Sequence, residues 1–162
     1  KPNLILYLRR SNKKNVMIMG DVYSIEDILG SLPRYQADNL KYLLDNNSED
    51  KTVELWLNSQ GPSQTTAFGG DINRQGNKTY YQCFKHQMNR LICGHPEYKA
   101  EYNKFIGEGR SMSIATASAI GAWLAPIIGL PAIVVIPAVE LFLHTTFKVG
   151  RNAYCEHVNF EE

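Results

Sequence analysis

The chain has 162 residues, of which 44% are apolar and 20% charged, with a net charge of +1. That length supports one domain with its own core, and the composition excludes a collagen-like, coiled-coil or wholly disordered chain. The near-neutral charge provides no global attraction to nucleic acid, so none is expected as a partner.

The charge is unevenly placed. Residues 1–110 carry 15 Lys/Arg and 12 Asp/Glu, whereas the 29 residues from Ser111 to Val139 carry none. Beyond them come Glu140, Lys148, Arg151, Glu156 and the acidic pair Glu161-Glu162. The chain reads as a polar α+β domain (1–110), an apolar helical hairpin (111–147) and a polar tail (148–162).

The first elements read as β. Asn3–Arg10 and Asn15–Met19 are short apolar runs separated by the polar stretch Arg10-Ser11-Asn12-Lys13-Lys14, which predicts a β-hairpin. Leu4–Leu8 is too short for a signal sequence. Ser24-Ile25-Glu26-Asp27 fits a capping box opening a short helix through Leu29. Pro33 suits the first turn of a further helix, with Ala37, Leu40, Leu43 and Leu44 on one face. Asp45–Asp50 reads as a polar loop, and Thr52–Leu57 alternates like a half-buried strand, with Val53, Leu55 and Leu57 on one side.

Asn58–Asn77, with Gly61-Pro62, Gly69-Gly70 and Gly76, predicts a long loop. Thr79–Ile92 predicts a helix with Tyr80, Phe84, Met88 and Leu91 at helical spacing, interrupted by His95-Pro96. Another helix is expected from Pro96 to about Ile106, ending at Gly107 and Gly109. Nearby Tyr80, Tyr81, Tyr98 and Tyr102, interleaved with lysines, fit an amphipathic pair that turns its aromatics inward; a lipid headgroup interface suits the same mixture.

Ser111–Val139 would extend about 44 Å as one helix at about 1.5 Å per residue, against the roughly 30 Å of a bilayer core. Pro126 and Pro131 bracket Ile127-Ile128-Gly129-Leu130 and predict a bend, giving arms near Ser111–Ala125 and Pro131–Phe147; Pro137 lies in the second arm. Arg110 precedes the run, and Lys148 and Arg151 follow it, so both ends are basic and would face the cytoplasm. Ser113, Ala117, Gly121 and Ala125 recur every fourth residue and form a row of small side chains suited to close helix packing. Glu140, His144 and Lys148 form a stripe at i, i+4 and i+8. Glu140 is expected at a solvated arm end; at membrane depth it would instead mark a pore-lining or interhelix position.

Three cysteines, an odd number, read as reduced thiols rather than a disulfide framework. Cys83, His86, Cys93 and His95 have zinc-type ligands but not the spacing of a zinc knuckle, and no metal or cofactor is expected. A thiol enzyme would have to use Cys83, Cys93 or Cys155 with a His, and no P-loop, G-x-S-x-G or H-E-x-x-H is present. Gly107-Glu108-Gly109-Arg110-Ser111 lacks the later Gly and Lys of a phosphate loop. Two N-x-S/T sequons occur, at Asn46 and Asn77.

The sequence thus points to a non-enzymatic, membrane-associating protein, cytoplasmic or membrane-bound with cytoplasmic termini. Its hairpin would contact lipid and assemble into a homo-oligomer of pore or effector type. The alternative is a soluble binding or adaptor domain with the hairpin as its buried core.

Overall fold

The computed structural model describes residues 22–60, 79–107 and 111–158. The expected β-hairpin at Asn3–Arg10 and Asn15–Met19 lies outside these residues, as do most of the loop expected at Asn58–Asn77 and Gly109.

Contrary to the expected α+β class, the described chain is all-α. It contains no β-strand among the described residues, only an isolated parallel bridge between Val22 and Met112. Helices α1 (Ile25–Ser31), α2 (Arg34–Asn46), α3 (Glu49–Gln60) and α4 (Tyr80–Ile92) precede a 3-10, α and π turn sequence from Pro96 to Ile106. The apolar hairpin α5 (Ile114–Ile128) and α6 (Ala132–Val149) follows, then the short α7 (Arg151–Cys155).

The capping boxes were written locally. Ser24 accepts from the Asp27 amide while Asp27 accepts from the Ser24 amide, and Thr79 and Gln82 do the same for α4. Hydrogen bonds from Ser24 hold the Asp27 carboxyl below its usual range. Pro33 is the N-cap of α2, and Leu40 buries at the centre of the predicted apolar face. Phe84, Met88 and Leu91 of α4 are likewise fully buried.

The strand expected at Thr52–Leu57 is instead part of α3. Thr52, Val53, Trp56 and Leu57 are buried, whereas Leu55 is only half-buried. That is an i, i+1, i+4, i+5 face, the helical reading of the same apolar residues. Ser48 Oγ accepts from the Lys51 amide, and Glu49 and Asp50 occupy the first turn, where carboxylates favour the positive end of the helix. The polar stretch Asp45–Asp50 is therefore mostly two helix ends around a turn at Asn47-Ser48.

The core is one cluster centred on α6. It takes Ile28 from α1, Leu40 from α2, Val53, Trp56 and Leu57 from α3, and Phe84 and Met88 from α4, together with the inner faces of α5 and α6. Phe84 meets Phe142 edge to face at 5.5 Å, and Phe142 meets Tyr154 at 5.9 Å. The clustered tyrosines Tyr80, Tyr81, Tyr98 and Tyr102 pack against this core half-buried, Tyr98 edge to face with Trp123 at 5.1 Å.

The expectation of reduced thiols is also corrected. Cys93, just after α4, is disulfide-bonded to Cys155 at the end of α7, with 5.5 Å between their Cα atoms. The odd count leaves Cys83 outside the bridge. Arg151 donates to the Ile92 carbonyl at 3.2 Å and Tyr154 bonds Asn89, so polar contacts seat α7 beside the bridge. Spacing along the chain could not reveal a pairing across 62 residues that the fold brings together.

Candidate functional site

The small-residue row and the three prolines determine how the hairpin closes. Ser113 is exposed and N-caps α5, accepting from the Thr116 amide. Ala117, Gly121 and Ala125 are buried. At Gly121 an added Cβ would lie 2.7 Å from Ile136 Cγ1 and 2.8 Å from Ile136 Cα, so the two backbones approach as closely as hydrogen allows. The row is thus occupied by α6 of the same chain. Gly129 closes α5 at φ +80°, a left-handed conformation suited to glycine, and Pro131 opens α6 as its N-cap. The bend lies between Pro126 and Pro131, with α5 running on through the exposed Pro126.

Prolines inside helices release carbonyls. Pro126 has no N–H for the carbonyl of Ala122, and both residues are exposed, so water can replace that bond. Pro137 is buried and has no N–H for the Ile133 carbonyl four residues earlier. Gln36 of α2, only 6% exposed, donates its side-chain amide to that carbonyl at 3.0 Å. Trp56 of α3 donates its indole N–H to the next carbonyl, Val134, at 2.9 Å. Gln36 therefore replaces the donor that Pro137 lacks, and Trp56 adds a bond to a carbonyl whose helical donor, Ala138, is intact.

The stripe Glu140, His144 and Lys148 does not form a ladder along α6. Glu140 is 1% exposed, contrary to the solvated arm end expected for it. Its Oε1 accepts from Ser118 Oγ of α5 at 3.2 Å, its Oε2 lies 3.3 Å from Ser31 Oγ of α1, and its backbone carbonyl accepts from the Tyr23 hydroxyl at 2.6 Å. Ser31 also donates to the Ile28 carbonyl at 2.7 Å, and one hydroxyl proton cannot serve both acceptors fully. A protonated Glu140 resolves this by donating its own O–H to Ser31 Oγ. Burial without a cationic partner pushes the Glu140 carboxyl up to about 7, against the smaller lowering effect of the two serines. Burial and the adjacent Glu140 push the Tyr23 hydroxyl up as well.

His144 is buried and bonded elsewhere. Its Nδ1 lies 3.3 Å from Glu49 Oε2, which also accepts from Thr145 Oγ1. Beside this group is a cavity of about 50 Å³ lined by Asp50, Val53, Lys85, Phe142, Thr145 and Tyr154, among others. That is room for a few waters. Asp50 accepts from the Tyr81 hydroxyl at 2.6 Å; burial first, then Asp50, pushes that hydroxyl up. Burial likewise pushes Tyr154 up to about 12. These hydroxyls stay protonated at neutral pH and act as donors, and the arrangement ties α3, α4 and α6 together. Lys148 is exposed at the end of α6.

The thiol and zinc candidates do not converge. Cys93 and Cys155 are oxidised to one disulfide, which removes them as nucleophiles or thiolate ligands. His95 Nδ1 accepts from the Glu97 amide and so caps the turn that follows. Among the described residues no group of three or more His, Cys, Asp or Glu is arranged to hold a metal.

The residues that complete α6, namely Tyr23, Ser31, Gln36, Glu49, Trp56 and Ser118, were not singled out by the sequence. One signal pointed toward Gln36: a proline inside a helix releases the carbonyl four residues earlier. No family model matches the chain, and no curated protein or solved structure matches it.

Proposed function

We propose that this chain is a non-enzymatic helical binding module in which the apolar hairpin is the structural core. The observation that carries this reading is the partnering of α6. The Ile133 carbonyl released by Pro137, the Val134 carbonyl and the buried Glu140 and His144 are met by Gln36, Trp56, Ser31, Ser118 and Glu49, four of the five from α1, α2 and α3. Lipid supplies no hydrogen-bond donors, so the hairpin moved alone into a bilayer would leave the Ile133 carbonyl without its Gln36 donor and Glu140 without Ser31. The Cys93–Cys155 bridge supports residence in an oxidising compartment rather than the cytosol.

The test is flotation. The full chain, purified without detergent, is mixed with vesicles of zwitterionic and anionic phospholipid and centrifuged through a density step. It is expected to stay in the aqueous fraction with both vesicle types. Recovery with vesicles that persists after Ile127 and Ile133 are replaced by Ser overturns the core reading and restores lipid as the partner.

One observation favours that second reading in a shallower form. Helix α6 is long and apolar enough to cross a membrane by length and composition, although it is mostly buried in the bundle. The bend between the arms, however, exposes Ile127 (44%) and Ile133 (50%) beside the exposed Pro126 and Pro131. An uncharged tip of this kind suits contact with a bilayer surface without unpacking the bundle. Oligomerisation through the small-residue row would first require Ile136 to vacate it. Replacing Ile127 and Ile133 with Ser would abolish flotation if the tip makes the contact, and leave it intact if the whole hairpin inserts.

A further inference from the structure

The sequon Asn46-Asn47-Ser48 falls at the connection between α2 and α3. Asn46 is the last residue of α2 and is exposed, as is Ser48. Between them Asn47 leaves the helix with extended backbone, at φ −143° and ψ 164°. Asn46 Nδ2 donates to the Tyr42 carbonyl at 2.8 Å. A carboxamide nitrogen has two hydrogens, so substitution of one leaves the other for that bond. Tyr42, one helical turn earlier, is 69% exposed, and its ring offers an apolar platform beside the amide. Nothing in the core has to move to accept a large polar group here.

We infer that Asn46 is an acceptor for an N-linked oligosaccharide. The inference rests on the oxidising compartment proposed above, because the lumen that supports disulfides is where sequons are modified. The donor is a polyprenyl-pyrophosphate-linked oligosaccharide. Asn46 Nδ2 forms a bond to the anomeric carbon of the sugar as the bond from that carbon to the pyrophosphate oxygen breaks. The electron pair leaves with polyprenyl pyrophosphate, and one amide proton passes to a base of the transferase. Nothing is oxidised or reduced.

The experiment uses the full chain secreted from cultured animal cells, with Asn77→Gln in the background to silence the second sequon. Non-reducing digestion, amidase release of glycans in heavy-oxygen water and mass spectrometry read the modification and the disulfide together. The expected result is a heavy-oxygen label at position 46, lost in Asn46→Gln and kept in Ser48→Thr, which retains both the sequon hydroxyl and the α3 cap. An unlabelled position 46 in a chain carrying the Cys93–Cys155 linked peptide overturns the glycan alone. An unlabelled position 46 with both cysteines reduced overturns the glycan together with the oxidising compartment.

Discussion

Glu140→Gln isolates the cost of a buried carboxylate. Glu140 titrates in the folded chain at about 7, against 4.5 when unperturbed. A folded value above the unfolded one means that the native state holds the proton more tightly. Stability from this group is therefore complete below pH 4.5 and declines as pH rises toward 7, after which it changes little. The rise from 4.5 to about 7 corresponds to about 3 kcal/mol of tighter proton binding in the folded chain. Glutamine keeps the shape and can still exchange hydrogen bonds with Ser31 and Ser118, but has no proton to lose. Urea unfolding of both proteins from pH 4 to pH 8 gives a difference curve in which other titrating groups cancel. The variant should gain on the parent by about 3 kcal/mol across that range. Parallel stability profiles would refute the assignment of a buried, uncompensated carboxyl at this junction.

Gly121→Ala places a methyl group against the Ile136 backbone and should lower stability by about 1–3 kcal/mol in thermal or urea unfolding. Adding Ile136→Ala should restore only part of the loss, because the 2.8 Å contact to Ile136 Cα remains. Gln36→Leu leaves the Ile133 carbonyl unpaired and should cost about 1–3 kcal/mol. In a Pro137→Ala background that cost should shrink, because position 137 regains the N–H that α6 lacks; equal costs in both backgrounds would sever the link between Gln36 and Pro137. Reduction, or Cys93→Ser with Cys155→Ser, should cost about 4 kcal/mol from loop entropy across 62 residues, read as a lower urea midpoint.

Local signals survived into the fold wherever one helical turn contained all the partners. Ser24 with Asp27 and the inward face of Phe84, Met88 and Leu91 were legible because their interactions span four residues or fewer, or repeat at the helical period. The bend at Gly129 and Pro131 was legible for the same reason. Thr52–Leu57 was misread because a short apolar run satisfies a period of two and a period of 3.6 almost equally. The Ser48 cap and the burial of Trp56 decided for the helix.

By itself the sequence determined that a 29-residue uncharged stretch would bend between Pro126 and Pro131 and that a row of small side chains would line its first arm. Neither property depends on what surrounds them. Only the tertiary structure decided what covers that hairpin, because burial, disulfide pairing and the partners of released carbonyls join residues far apart in the chain. Gln36 reaches Ile133, Trp56 reaches Val134, Ser31 reaches Glu140 and Cys93 reaches Cys155. Each pairing closes a loop of 62 residues or more, and no periodicity in the chain encodes contacts at that distance.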